Sequence, residues 1–267
     1  MRAPRLVATD LDGTLLRSDG TLSDRTARLL ADVERAGVHV VFVTARPPRW
    51  LDGLAHLVAG HGTAICGNGA FVYAVGERDV VAVHGFEHRD VQGLVRDLRA
   101  EVPGILFAAE RASGLWSEYG FPHSPAHPLP TDHIEAPIET LSGDPVGKLL
   151  ARSQALEEDA FLDHVAGVVG RRGQLAYSGA GGLAEISAPG VTKAATLERW
   201  AAGLGIDSAD VWAVGDMPND LPMLDWAGES WAVANAHRDV LAAAARRCAS
   251  NDDDGVAEIL ALVLEKV

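Results

Sequence analysis

The sequence predicts an α/β protein with a parallel-sheet core and an inserted α+β module. Three observations carry that reading. Two apolar runs far apart in the chain, Leu6 to Ala8 and Val211 to Gly215, each stop at an acid, Asp10 and Asp216. Open α/β sheets place their ligands at the carboxyl ends of strands. Val38 to Val43 is an almost continuous apolar run, the pattern of a strand buried on both faces of a parallel sheet. From about His84 to Ser187 strands and helices no longer alternate cleanly, which is the texture of a separate α+β module.

The first strand, Leu6 to Ala8, runs into Asp10-Leu-Asp-Gly-Thr14. Gly13 lets the chain leave the strand in a turn there. Ser18 to Thr21 is a turn cluster, and Ser23 is an N-cap for a helix to about Arg35 with Leu29, Leu30 and Val33 on one face. Gly37 ends that helix. The strand Val38 to Val43 delivers Thr44, and a helix starts near Pro47 or Pro48. Ala64 to Cys66 is a third strand. Gly67-Asn68-Gly69 is a tight turn, and Phe71 to Tyr73 with Val80 to Val83 reads as a hairpin.

Inside the module, Asp90 to Arg99 is helical, and Ile105 to Ala109 and Leu115 to Tyr119 are strands. Gly120 to Pro130 is a loop with four prolines, Pro122, Pro125, Pro128 and Pro130. His123, His127 and His133 lie in or beside it; their spacing matches no zinc pattern, and they read as exposed loop residues. Trp116, Tyr119 and Phe121 read as module core or as an aromatic wall for a substrate. Val146 to Ala151 is a strand, Glu157 to Val169 a helix, and Gln174 to Tyr177 and Leu183 to Ser187 are the last strands. Lys148, inside an apolar strand, either faces a cleft or snorkels from an edge.

Pro189 to Ala195 returns the chain to the core, with Thr192 a candidate N-cap and Lys193 in the first helical turn. A cation is poorly placed at the positive end of a helix dipole, so an anion would compensate it. After Val211 to Asp216 come Asn219 and Asp220 on a loop or first turn. Trp231 to Ala234 is a strand, Ala236 to Arg246 a helix, Arg247 to Ala249 a brief strand, and Asp253 to Lys266 the closing helix. Asn251 to Asp254 is a polar loop before it.

Composition bounds the function. The 267 residues suit one large or two modest domains, and 48% apolar residues suffice for full cores. A net charge of −14 lacks the basic footprint of a general nucleic-acid binder. Two cysteines, Cys66 and Cys248, form no disulfide framework and no metal pattern, and read as core thiols in a reducing compartment. The N-terminal apolar run is broken by acids and is no signal peptide; no stretch has the length of a membrane span. A cytoplasmic protein is expected.

Asp10 and Asp12 form a pair with definite chemistry. One carboxylate can attack phosphorus and become an aspartyl phosphate, and the other can pass protons to and from oxygen. Close acids repel, and a hard cation such as Mg²⁺ relieves that repulsion. A polar turn after a strand is the structural alternative. Asp216 on a second strand-and-acid loop can supply a further oxygen ligand.

Asp10-Leu-Asp-Gly-Thr-Leu15 resembles the first motif of the haloacid dehalogenase superfamily of phosphohydrolases. Thr44 matches the second motif, Lys193 the third, and Gly215-Asp-x-x-Asn-Asp220 the fourth, in the right order over almost the whole chain. The glycine usual after Thr44 is Ala45 here, with Arg46 kept; a backbone N–H survives that change. The module falls between motifs two and three, the placement of the larger cap in the Cof-type subfamily. The resemblance implies a Rossmann-like catalytic core at residues 1–83 and 188–267 and an α+β substrate-specificity cap at 84–187. It implies a Mg²⁺-dependent phosphatase acting on small phosphorylated metabolites, sugar phosphates or similar. Asp10 would be the nucleophile and Asp12 the acid and base. Mg²⁺ would sit on Asp10, Asp12 through its carbonyl, and Asp216. Thr44, Lys193 and Asn219 would hold phosphate, and Arg46, Asn68, Asp220 and Asn251 would line the rim. No nucleic-acid or membrane partner is expected. A phosphomutase of the same superfamily and a non-catalytic binding module are the alternatives.

Overall fold

The computed structural model describes residues 2–58, 62–123, 129–176 and 181–267. Pro125, His127 and Pro128 of the proline-rich loop, and Tyr177, lie outside the described residues. The chain divides into two compact units, Met1–Val81 with Lys193–Val267, and Ala82–Thr192.

The first unit opens with β1 (Leu6–Thr9), α1 (Asp24–Arg35), β2 (His39–Val43), α2 (Asp52–Leu57), β3 (Thr63–Cys66), β4 (Phe71–Ala74) and β5 (Asp79–Val83), which runs across the boundary. The Ser23 hydroxyl accepts a bond from the Thr26 amide at 3.1 Å and so caps α1, as expected. Gly37 follows the helix at φ +85°, a conformation that costs glycine no steric penalty.

The second unit holds α3 (His88–Glu101), β6 (Leu106–Arg111), β7 (Gly114–Ser117), β8 (Ile134–Glu135), β9 (Lys148–Arg152), α4 (Glu158–Val169), β10 (Gln174–Ala176) and β11 (Ala184–Ser187). Its sheet runs β10-β11-β9-β6-β7-β8. The first four neighbour pairs are antiparallel and β7 with β8 is parallel. Periodicity missed β8, since two residues hold too few alternations to register.

The chain then completes the first unit with α5 (Lys193–Gly203), β12 (Val211–Gly215), α6 (Leu221–Trp226), β13 (Glu229–Val233), α7 (Arg238–Ala243), β14 (Arg246–Cys248) and α8 (Gly255–Leu264). The helix expected over 236–246 stops at Ala243, because Arg246 is taken by pairing with Trp231 on β13. Backbone bonds across a sheet outweigh the helix propensity of an alanine run.

The larger sheet has the order β14-β13-β12-β1-β2-β3-β4-β5. Six strands, from β14 to β3, are parallel, and β4 turns back antiparallel. Leu6, Val7, Ala8, Ala213 and Val214 in the central strands are fully buried. At β1 the chain steps first towards β2 and much later to β12 on the other side, so the topological switch lies between β1 and β12. The fold is the α/β architecture read from sequence, with a mixed sheet in the inserted stretch. Among the described residues no helix is long and apolar enough to cross a membrane.

Candidate functional site

The site lies at the carboxyl ends of β1 and β12. These strands pair in parallel with Thr9 opposite Val214, and the Asp10 amide donates to the Val214 carbonyl at 3.0 Å. That register brings Asp10 and Asp216 side by side. A helical turn at Pro218–Asp220 then folds Asp220 back beneath them. Carboxylate oxygens of Asp10, Asp216 and Asp220 all lie within 4.8 Å of one another, and all three residues are buried.

Lys193, at the start of α5 and 3% exposed, balances part of this charge. Its Nζ donates to Asp10 Oδ1 at 2.6 Å and to Asp220 Oδ1 at 2.7 Å. Asp220 Oδ2 accepts from the amides of Asp216 and Met217, each at 3.1 Å. Both Asp220 oxygens are therefore committed inside the protein. Read from sequence, Asp220 belonged to the rim; it is 0% exposed and anchors the cluster. Thr14 Oγ1 donates to Asp216 Oδ1 at 2.9 Å.

Two glycines make room. Gly13 turns at φ +77°, and a Cβ there would stand 2.6 Å from Asp216 Oδ2. At Gly215 a Cβ would stand 2.7 Å from the Cβ of Asp220.

The electrostatics show a site short of positive charge. Burial raises the Asp10 carboxyl well above its ordinary range; Lys193 opposes this, and Asp220 and Asp216 add to it. Burial, then the Asp220 charge, pushes Asp216 up to about 6. Burial pulls the Lys193 ammonium down, but Asp10 and Asp220 outweigh it and leave it above its ordinary value. One ammonium does not offset three carboxylates. An oxygen-seeking divalent cation supplies what is missing, and this donor set, all carboxylate and without nitrogen or sulfur, fits Mg²⁺.

Asp12 stands apart from the three, with its side chain 59% exposed. Arg46 grips it in a bidentate pair, Nε to Oδ2 at 2.8 Å and Nη2 to Oδ1 at 2.5 Å. The hydrogen bond to Asp12, partly opposed by burial, raises the Arg46 guanidinium. Thr44, 1% exposed, ends β2, and its hydroxyl accepts from the Arg46 amide at 3.1 Å. Because that oxygen accepts, its own proton can be donated elsewhere.

Asn68 and Asn219 meet, with Asn219 Nδ2 3.5 Å from Asn68 Oδ1. Asn68 sits at φ +59° between β3 and β4, and its amide donates to the Thr44 carbonyl at 3.1 Å. Asn68 Nδ2 and Asn219 Oδ1 are buried with no hydrogen-bond partner among the described residues.

Asn251 does not reach the carboxylates. Its Nδ2 donates to the Leu16 carbonyl at 3.0 Å, and its amide donates to Asn235 Oδ1 at 3.0 Å. Asn235 Nδ2 in turn donates to the Gly13 carbonyl at 2.7 Å. The two asparagines thus brace the loop between Asp10 and Leu16. Asn235 and Thr14 were not singled out in the sequence. A polar residue just past the strand at 231–234 was the available signal for Asn235, and the Thr in Asp-Gly-Thr for Thr14.

Among the described residues no disulfide joins Cys66 and Cys248; Cys66 is a core residue as expected, while Cys248 is only half-buried.

A family model for haloacid dehalogenase-like hydrolases matches residues 7–260. The chain is 30% identical over 258 residues to a phosphoglycolate phosphatase of Halorubrum lacusprofundi, covering 96% of this chain and 95% of that protein. It is 28% identical over 265 residues to the 5-amino-6-(5-phospho-D-ribitylamino)uracil phosphatase YitU of Bacillus subtilis, with 96% of each covered. Among solved structures, a haloacid dehalogenase-like hydrolase from Bacteroides thetaiotaomicron aligns with a TM-score of 0.78 at 23% identity, covering 97% of this chain and 98% of that one. A Thermotoga maritima protein aligns with a TM-score of 0.81 at 23% identity, covering 98% and 97%. The two structural likenesses speak to the fold.

Proposed function

This chain belongs to the haloacid dehalogenase-like hydrolases, and from that premise we propose that it hydrolyses small phosphorylated metabolites, sugar phosphates or similar esters, through an aspartyl phosphate on Asp10. The observation that carries the reading is the convergence of Asp10, Asp216 and Asp220 from distant parts of the chain.

Asp10 and Asp216, with the main-chain carbonyl of Asp12, would hold Mg²⁺; Asp220 is better cast as their anchor, since Lys193 and two amides already occupy its oxygens. The bound ion supplies charge neutralisation for the phosphoryl oxygens. Asp10 attacks phosphorus in line; the new bond forms to its carboxylate oxygen as the bond to the leaving oxygen breaks. Asp12, once it leaves its pair with Arg46 and carries a proton, gives that proton to the leaving oxygen. Thr44 donates its hydroxyl proton to a phosphoryl oxygen, Lys193 offers its charge, and Asn219 with Asn68 steadies the loop beside them. Water then attacks the aspartyl phosphate, Asp12 takes its proton, and inorganic phosphate leaves with Asp10 restored.

Residues 84–187 are read as the cap that selects the leaving group. The two named relatives are phosphatases with unlike leaving groups, which supports hydrolysis and does not single out one ester. The experiment is phosphate release from a panel of phosphate monoesters with Mg²⁺. Wild type is expected to turn over, while Asp10→Asn, or wild type in excess chelator, is not. Normal turnover in either case rules out the mechanism, and isomerised product instead of free phosphate makes the enzyme a mutase.

A further inference from the structure

Between β13 and α7 of the first unit, the stretch from Asn235 to His237 grips two main-chain segments that carry proposed metal ligands. Asn235 Nδ2 donates to the Gly13 carbonyl at 2.7 Å. Two residues on, the His237 amide donates to the Asp216 carbonyl at 2.8 Å. The stretch is itself closed by a bond from the Ala236 amide to the Val233 carbonyl at 3.0 Å. Asn235 Oδ1 accepts from the Asn251 amide at 3.0 Å, so the side chain is held at its other end too.

The grip falls where the chain most needs one. Gly13 turns at φ +77° and has no Cβ, so local sterics restrain it least of any residue type. One planar peptide joins its nitrogen to the Asp12 carbonyl. Holding Gly13 at its own carbonyl therefore limits the rotation left to the carbonyl of Asp12. The same segment presses on Asp216: a Cβ on Gly13 would stand 2.6 Å from Asp216 Oδ2, and Thr14 Oγ1 donates to Asp216 Oδ1 at 2.9 Å. A shift of the Gly13 main chain is thus felt at a carbonyl ligand and at a carboxylate ligand together.

Asn235 is exposed. Water readily replaces an exposed hydrogen bond, which therefore adds little to folding. Its consequence lies in geometry, and geometry is what separates two common cations. Mg²⁺ demands nearly octahedral oxygens at about 2.0–2.1 Å, whereas Ca²⁺ accepts more oxygens, farther away and in flexible arrangements. A rigid ligand frame favours the first ion, and a loosened frame loses that preference.

We propose that Asn235 is a positioning residue whose bond to the Gly13 carbonyl holds the Asp12 carbonyl and Asp216 at the spacing Mg²⁺ requires, and so makes the site prefer Mg²⁺ to Ca²⁺. The inference rests on the proposed placement of the metal at Asp10, Asp12 and Asp216 and deepens it. Asn235 acts through Gly13 and is not itself a ligand.

The test titrates Mg²⁺, and separately Ca²⁺, into chelator-treated and dialysed full-length protein in a calorimeter, without substrate. Wild type is expected to bind Mg²⁺ more tightly. Asn235→Ala should weaken Mg²⁺ by about 10–100-fold, the usual cost of losing a residue that orients a metal ligand. It should weaken Ca²⁺ far less, so that the ratio of the two affinities falls at least fivefold. Asn235→Asp is nearly isosteric; it keeps the acceptor for the Asn251 amide and loses only the donor to Gly13. Its added charge draws both dications alike, so the ratio reads geometry alone, and it should again fall at least fivefold. Ser18→Ala is the control. It removes a bond to Asp252 at 2.8 Å just beyond the same loop and should leave both affinities unchanged. All three metal-free variants should melt within a few degrees of wild type. An unchanged ratio in either Asn235 variant, a wild type that prefers Ca²⁺, or an equal fall of the ratio in Ser18→Ala would overturn the role of Asn235. A wild type that binds neither ion would instead sink the metal placement beneath it.

Discussion

Replacing Gly13 by Ala tests the geometry of the carboxylate cluster without touching any charged group. Two costs arise. The backbone at φ +77° is unfavourable for any residue with a Cβ, at about 1–3 kcal/mol. The added carbon also meets Asp216 Oδ2 at 2.6 Å, and ordinary contact begins at 3.4 Å. The carboxylate must therefore withdraw by about 0.8 Å, the difference of those two distances. Displacements of about 1 Å at a reacting centre cost on the order of 100-fold in rate. Loss of a metal ligand's support costs about 10–100-fold in affinity. Gly20→Ala is the control: its φ is +79°, and a Cβ there meets nothing within 4 Å. Both variants should lose similar backbone stability in denaturant titrations. Only Gly13→Ala should lose Mg²⁺ affinity and kcat/KM, each by at least tenfold. If Gly13→Ala binds Mg²⁺ and turns over like the control, Asp216 is not the ligand that this geometry implies.

Asp220→Ala takes a partner from buried Lys193 and from two amides, and should cost about 3 kcal/mol in urea unfolding; a cost under 1 kcal/mol would mean that Asp220 is no anchor. In chelator, stability should fall as pH rises from about 4 to about 6. Folded Asp216 titrates at about 6 against 3.8 for the free group, so the folded chain binds more protons across that interval. The loss is on the order of 3 kcal/mol. Saturating Mg²⁺ should remove it; a chelated protein that gains stability over that range contradicts the assignment. Burial and then the Glu258 charge push the Cys248 thiol up to about 12, and Cys66 is fully buried. Iodoacetamide at pH 8 should therefore label neither thiol in the native protein and both after denaturation, as read by mass spectrometry.

Local chemistry was legible where a residue type has a local consequence. Strands ending in acids at Asp10 and Asp216 read directly, because a run of apolar residues interrupted by a carboxylate has one comfortable place in an open sheet. Ser23 capped the helix it was expected to cap. Lys193 stood out because a cation in the first turn of a helix needs an anion nearby, and Asp10 and Asp220 provide it. Other features were not legible. The helix expected to continue to Arg246 stops because β13 claims that residue, a competition that local propensity does not register. Asn235 braces Gly13 from 222 positions away, and nothing near either residue announces the bond.

From the amino-acid order alone came the class of fold, the insertion, and the type of chemistry, since these follow from periodicity and from the reactivity of side chains. Tertiary structure decided which acids meet. Asp10 and Asp216 become neighbours only because β1 and β12 pair in parallel with Thr9 across from Val214. Asp220 enters the cluster only because a turn folds it beneath them. Strand order and register are set by backbone bonds between segments remote in the chain, and no local pattern of residues contains them.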